Sequence, residues 1–557
     1  MRDRCRLKAE LFHISESRHG APRVRWNFVL SHPFARKKAN GWGTGHIAVA
    51  ALLLISLLGF IGCRSTARDP NTLVFLIESS PANLDPRVGT DVQSEHIDEL
   101  LFDGLVQKDA SFQFTPALAE EWEQPDAKTL VFHLRTRVHF ADGRALTARD
   151  VKWTIDSLRN GTVISPKAAS YASVDTVEVR DPATIVFHLK HADNFLLTNL
   201  STGAFGIVPE GSGRDFWQHP VGTGPFRFVS QQIDQDVTIE RNPMSWSIVP
   251  KIERVRFAVV PDAITAALEL EKGSADVAAP NLLPMDLLPA LAAKPNLIVE
   301  DRPGTAIQYL AFNVRDPILK DARVRQAIAC AIDRKLIIRT LLRGHAQLAS
   351  SLLPPSHWAW TGDVAKYDYD PQRAKHLLDE AGYRPGADGV RLHLTMKTST
   401  DENARLLAAV LQHQLSQVGI ALDIRSFEFA TFYSDITRGA FQIYSLRWIG
   451  GNEQPDIFSY VYSTARFSPK GANRGHYSNS DLDALLDDAA ENADTDARRK
   501  DYVRAQQLLA RDLPSVNLWY SDTVVVHSRN LTHLIPSASG SFSFLETSAL
   551  LPAQGMR

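Results

Sequence analysis

Apolar positions along this chain alternate between two periods, and the alternation predicts most of its elements. NTLVFLI, Asn71 to Ile77, ends in five consecutive apolar residues, the pattern of a fully buried strand. SEHIDELLFDGLV, Ser94 to Val106, changes to helical spacing through Ile97, Leu100, Leu101 and Leu105. TLVFHLR (129–135) and TIVFHLK (184–190) both alternate with strand period and match at Phe132 and Phe187. Their flanks differ, so they read as two strands of one small sheet rather than as a repeat. DGRALTARDVKWTIDSL, Asp142 to Leu158, reads as a turn and then a helix opened by Thr147 as N-cap. VGTGPFRF, Val221 to Phe228, is a glycine turn leading into a strand.

The second half repeats one grammar. YLAFNV (309–314) is a strand, and Asp321 then opens a helix with apolar positions at Val324, Ile328, Ile332 and Leu336 that runs to Gly344. A further helix starts at Asp370-Pro371 and stops at Gly382. Strand 390–398, helix 403–419 and strand 420–427 follow, then a long charged helical stretch, 481–513, and the strand SVNLWY (515–520). Strand–helix–strand order predicts an α/β lobe.

Length adds that one core is not enough: 557 residues call for two or more domains. A net charge of −2 carries no basic footprint for nucleic acid. The charge is uneven, because residues 1–62 hold ten of the 61 basic side chains and only three of the 63 acidic ones. There ARKKAN precedes the fifteen-residue run IAVAALLLISLLGFI, Ile47 to Ile61. That run is short for a membrane span, which needs roughly 20 residues, and reads as a secretory signal. It ends in FIGC, which resembles the lipobox of bacterial lipoproteins, with Phe60 where Leu or Val is commoner. Residues 1–62 are therefore set aside as a targeting segment and Cys63 is expected to carry lipid. Cys5 falls in the removed part, so Cys330, in an apolar helix, has no partner for an internal disulfide.

The motifs of catalysis are missing. HExxH, GxSxG, CxxC, the Walker sequence and GxGxxG do not occur. The glycine turn at 221–224 lacks the Lys-Ser/Thr of a phosphate loop. His188 and His191 follow a strand, where a spacing of three puts them on opposite faces, so no shared metal is expected. LLDDAAEN (485–492) lacks the glycine and spacing of a calcium loop and reads as a solvated helix face. No cofactor, metal or enzymatic activity is expected.

Several segments together resemble the extracytoplasmic solute-binding proteins of family 5, the oligopeptide, dipeptide and nickel binders of ABC importers. They are ANLDPRVGTDVQSEHIDELLFDGLV, PALAEEWE, FADGRALTARDVKWTIDSL, VGTGPF, YLAFNV with DARVRQAIACAIDR, YDPQRAKHLLDEAGY and GANRGHYSNSDLDALLD, in that order from about residue 72 to 520. The resemblance implies a two-lobed α/β clamp that closes on its ligand. Lobe I would span 70–304, with a small inserted subdomain at about 111–220, and would be completed by 514–557; lobe II would span 305–513. It implies a monomeric lipoprotein of the periplasm or cell envelope, held to the membrane by lipid. Such a protein takes a peptide or small organic solute and delivers it to ABC permease subunits. A nickel-chelate or haem binder of the same fold and a non-transport sensor or chaperone are the alternatives.

The resemblance also points to a cleft. In RWIGGNEQPDIF (447–458), Trp448 matches the family's cleft tryptophan, with Arg447 before it and Gly450 and Gly451 after it. Peptide binders place an Asp three residues after that tryptophan for the peptide's amino group, and here the position is Gly451. The dipeptide binders' carboxylate-binding Arg corresponds to Thr398, beside Lys397. Lobe I would add Thr90, Asp91 and Val92. Asp91 would offer an anion, Lys397 or Arg447 a cation, and the glycines room against Trp448.

The basic–apolar–FIGC order generates a first prediction. Cys63→Ser should release a folded, soluble protein from the membrane fraction, because firm anchoring needs more than one acyl chain. Retention of the variant in that fraction, read by immunoblot, would identify an uncleaved anchor instead.

Overall fold

In a computed structural model the described residues are 69–551, apart from 194 and 493. The targeting segment and Cys63 lie outside them. Among the described residues no helix is long and apolar enough to cross a membrane.

Two large sheets form the two lobes. In the first, seven strands lie in the order Leu297–Arg302, Thr523–Ser528, Val277–Ala278, Thr72–Ile77, Arg254–Val259, Asp236–Arg241 and Phe226–Gln232. Thr72–Ile77 is central and pairs in parallel with both neighbours. Leu73, Phe75 and Ile77 pack into one core with Phe257 and Phe542, while Val74 and Leu76 pack into another with Leu270 and Val524. Burial on both faces is why this segment shows no alternation. The second sheet has six strands in the order Ala346–Leu348, Ser515–Ser521, Ile307–Phe312, Ile443–Trp448, Leu392–Ser399 and Ile420–Phe427. One face carries Leu310, Phe312, Leu394, Met396 and Leu518 into the main helical core. The other presents Tyr309, Ala311 and Tyr444.

A four-stranded antiparallel sheet, Ala119–Asp126, Thr129–Leu134, Thr184–Leu189 and Val174–Asp181, is set into the first lobe's sequence. The two matched segments are adjacent strands of it, and Phe132 meets Phe187 edge-on at 5.6 Å. Helix Ala148–Arg159 belongs to the same core and opens at Thr147, whose amide donates to Asp150 (2.7 Å). Beside it the short hairpin Val106–Lys108/Phe114–Pro116 reaches toward the second lobe.

The chain passes between the sheets twice, after Arg302 and after Ser521. A Cβ at Gly304 would collide with the Ser521 carbonyl, so the two passages lie against each other and only glycine fits. The second passage is later than residue 514, because Ser515–Ser521 is still a strand of the six-stranded sheet. The single helix expected from 322 to 344 is two, Ala322–Ala331 and Arg334–Thr340, since Asp333 accepts from Leu336 N and caps a new helix. The charged stretch likewise divides into Ser480–Glu491 and Thr495–Asp512, each capped by a side chain, Asn479 and Asp494. The apolar series 94–106 leaves its helix, Val92–Leu101, before Leu105, which joins the inserted subdomain's core.

One ion pair clamps the inserted subdomain to the first lobe. Arg87 and Asp85 are 1% exposed each and meet at 2.8 Å. The Arg87 guanidinium also donates to Ser157 Oγ and the carbonyls of Ser212 and Gly213. Arg87→Met should cost about 3–5 kcal/mol, because it strands a buried carboxylate. Urea unfolding measures this, and a loss below about 1 kcal/mol would show that the pair does not hold the subdomain.

Candidate functional site: the inter-lobe cleft

Strand Ile443–Trp448 ends in the residue that organises the second lobe's wall. Antiparallel register sets Trp448 opposite Ile307 and Leu446 opposite Tyr309, which makes Trp448 and Tyr309 diagonal neighbours. Their rings stack at 5.9 Å with planes 11° apart. Tyr460 meets Trp448 edge-on at 6.4 Å. Helix Phe429–Thr437 adds Phe429 and Tyr433, stacked on each other at 5.9 Å. Phe429, Tyr433, Tyr460 and Ile449 are all exposed, so this is an apolar, aromatic surface rather than a closed core.

Arg474 packs into this wall. Its guanidinium carbon is 5.1 Å from the Tyr433 ring centroid and 5.6 Å from that of Trp448. It donates to the Tyr433 hydroxyl at 2.9 Å and to the Tyr309 hydroxyl at 3.5 Å. Only 6% of the residue is exposed, yet among the described residues no carboxylate ion-pairs with it. The preceding residue fixes its place: Asn473 donates to the carbonyls of Tyr462, Ser463 and Tyr477 and accepts from Tyr477 N. A cavity of about 30 Å³ between Tyr309, Trp448, Tyr462 and Arg474 has room for about one water. The bulk of a solute therefore has to lie on the exposed aromatic face, with room for only a small group against Arg474.

The turn after Trp448 reaches the other lobe. Gly450 has φ +72°, a backbone that glycine adopts freely, and a side chain there would meet open space. Buried Asn452 donates to the carbonyls of Thr305, at the first passage, and Leu352. Glu453 faces Lys108 of the lobe I hairpin at 3.5 Å. Burial pushes the Glu453 carboxyl above its usual range; Lys108 opposes this, and Glu99 reinforces it. Nearby the hairpin makes two more contacts with lobe II. Trp358 N donates to Ser111 O at 3.1 Å, and Phe112 stacks on His357 at 5.6 Å. Asp456, the acid of the QPD sequence, is buried and accepts from Tyr502. Its role is structural.

Residues 113–469 match the family of bacterial extracellular solute-binding proteins, family 5, in its middle region. The chain belongs to this family. It is 28% identical over 481 residues to the dipeptide-binding protein of Escherichia coli (strain K12), a match spanning 81% of this chain and 89% of that one. To heme-binding protein A of Haemophilus influenzae it is 27% identical over 503 residues, covering 84% and 89%. The structure of HbpA2 from Haemophilus parasuis has the same fold, with a TM-score of 0.77 at 24% identity over 86% of this chain and 99% of that one. The two-lobed architecture is thus that of a solute-binding protein.

Within this family 5 protein the sequence-derived candidates separate into two groups. Arg447, Trp448, Gly450 and Gly451 lie along the strand end and turn just described, and Arg447 is exposed. Lys397 ion-pairs with Asp435 at 2.7 Å and covers the Phe427 ring, so its charge is already engaged. Thr398 is buried in the sheet. Asp91 does not offer a free anion: it is the N-cap of helix Val92–Leu101, accepting from Ser94 N, Ser94 Oγ and Ala82 N. Thr90 and Val92, on either side, are exposed. Arg474 and Glu453 were missed. Arg474 stood inside GANRGHY, visible only as part of a family segment, and Glu453 stood two places beyond the family's acidic position. A larger cavity of about 340 Å³, lined by Arg334, Ser351, Tyr367, Phe458 and Asn517, is confined to lobe II. The Arg334 guanidinium there is engaged with the carbonyls of Ala349, Asn517 and Tyr367, and every lining residue belongs to lobe II, so the first lobe takes no part in it.

His357 makes the cross-lobe contact sensitive to acid. Burial pushes its imidazole down to about 3, so it stays neutral in the fold while the unfolded chain takes a proton near 6.5. Its contribution is intact above that value and is lost as pH falls toward 3, at about 1.4 kcal/mol per unit. Asn at this position keeps an acceptor for Ala359 N, the partner of His357 Nδ1. Between pH 6 and 4 the native protein should therefore lose stability faster than His357→Asn in urea unfolding. Parallel slopes would mean that His357 is charged in the folded state.

Proposed function

We propose that this protein captures a peptide-like or other organic solute carrying an anionic group between its lobes. It then delivers that solute to the permease of an ABC importer. In this reading it acts as a monomer, held to a membrane of the cell envelope by lipid on Cys63, and binds without catalysis. The observation that carries the proposal is Arg474, a nearly buried guanidinium with tyrosine hydroxyls and aromatic faces around it but, among the described residues, no carboxylate paired with it. Cation–π contacts offset part of its desolvation, and a ligand carboxylate would supply the missing charge. Trp448, Phe429, Tyr433 and Tyr460 would cover the ligand's apolar parts, with Arg447 and the Gly450–Gly451 turn at the edge.

The relatives support this class of ligand by what their names state, dipeptide in one case and heme in another. Dipeptides and haem both carry carboxylates, so Arg474 suits either. The amino end of a free dipeptide fares differently. Gly451 offers it no acid, and Glu453 is already paired with Lys108. Longer or blocked peptides and non-peptide anions are therefore favoured over free dipeptides.

Native mass spectrometry of protein purified from cells should show a retained ligand bearing a carboxylate or similar anion. Calorimetry with that ligand should show Arg474→Gln weakening binding by about thirtyfold or more, equivalent to 2 kcal/mol or more for a desolvated charge pair. Trp448→Ala should weaken it to a similar degree. Unchanged affinity in both variants, or a ligand without negative charge, would overturn this reading. The same titration with free dipeptides, N-acetylated dipeptides, longer peptides and hemin separates the ligand classes.

A further inference from the structure

Three side chains with metal-ligating atoms converge where the chain passes between the lobes. Asp301 lies near the end of strand Leu297–Arg302 of lobe I. Asp522 is the one residue between strands Ser515–Ser521 and Thr523–Ser528, hence in the second passage itself. His345 leads into strand Ala346–Leu348 of lobe II. Sheet register brings them together: Ala346 pairs with Ser521, Asp301 pairs with Val524, and Asp522 N donates to His345 O at 3.1 Å. One ligating atom from each side chain lies within 4.8 Å of the other two. His345 Nδ1 is 3.2 Å from Asp301 Oδ2.

Two further observations point to a cation here. Asp522 is 7% exposed, and its Oδ1 is sealed from solvent with no hydrogen-bond partner. Leaving a buried carboxylate oxygen unbonded is costly. In addition, among the described residues no lysine or arginine ion-pairs with Asp301 or Asp522; the single imidazole faces two carboxylates. A tetrahedral ion with bonds of about 2.0–2.2 Å holds its ligand atoms roughly 3.3–3.6 Å apart. The imidazole–carboxylate separation is already close to that. Two carboxylates and one imidazole suit a first-row divalent ion such as zinc. Calcium, which takes six to eight oxygens, is poorly matched.

We propose that Asp301, His345 and Asp522 form a site for a divalent transition-metal cation of the zinc class, which ties the lobes together at their hinge. The ion draws one ligand from each lobe and one from the passage between them, so binding favours the arrangement seen here. Its three ligands are distinct from the residues of the aromatic cleft.

The test uses untagged protein stripped with a chelator and titrated by calorimetry with zinc chloride, then manganese and calcium chlorides. Zinc should bind at one ion per chain, with calcium weaker by at least a hundredfold. Asp301→Asn and His345→Ala should each weaken zinc by tenfold or more, and Asp522→Asn by at least as much. Asp301 is exposed, so Asp301→Asn keeps the question open to measurement should Asp522→Asn fail to fold. X-ray absorption at the zinc edge should show nitrogen and oxygen ligands including one imidazole, and Arg474→Gln should leave zinc binding unchanged. Absence of stoichiometric binding would overturn the proposal. Binding that is insensitive to both Asp301→Asn and His345→Ala would overturn it equally, by placing the ion on other histidines.

Discussion

Gly304 packed against the Ser521 carbonyl is the contact on which the two-lobed arrangement depends. It holds the two passages of the chain side by side, so they act as one narrow joint rather than as two separate tethers. A joint of this kind permits rotation of one lobe against the other while resisting shear. The contacts made away from it, Lys108 with Glu453 and Phe112 with His357, can then be made or broken without disturbing either sheet. A ligand that binds both walls shifts the balance by its differential affinity for the closed arrangement.

The second lobe's wall shows how a buried charge is kept with no carboxylate paired to it among the described residues. Asn473 satisfies three carbonyls, which fixes the backbone that carries Arg474. Tyr309 and Tyr433 supply hydroxyls, and Trp448 and Tyr433 supply ring faces. Each interaction is modest, and together they leave the guanidinium oriented and poorly solvated. Such a group gains more from a carboxylate than an exposed arginine does, because less water has to be removed from it. Arg447, on the same strand as Trp448 but exposed, has no such advantage.

Much of this was legible in the residues. The unbroken apolar run at 73–77 required burial on both faces, and the matched segments around Phe132 and Phe187 are neighbours in one sheet. Aspartates at 321 and 370 open helices, as helix-capping chemistry requires. What was hidden depends on partners distant in sequence. Asp91 looked like a free acid because a cap and a ligand-binding carboxylate are written with the same letter. Lys397 looked available because Asp435, 38 residues later, was not visibly its partner. Ile332 continued the apolar spacing of its helix, and only the local competition from Asp333 ended that helix. Arg474 had no periodic signature, since its environment is assembled from four separate stretches of chain. Gly450 could be read as an unusual backbone position from its identity alone, but not whether anything lies against it.

The position of Thr523–Ser528 inside the first lobe's sheet has a consequence for biosynthesis. This strand is among the last elements of the chain, yet it pairs with Leu297–Arg302 on one side and Val277–Ala278 on the other. Until it arrives, Leu297–Arg302 has no partner in the sheet, and the lobe cannot close its core over Val524 and Val526. Lobe II waits almost as long, for Ser515–Ser521, which pairs with Ile307–Phe312 and Ala346–Leu348. Pairings this far apart in sequence form slowly. A chain that completes its first lobe only with Thr523–Ser528 remains unfinished, and threadable through a narrow pore, until that strand has been made.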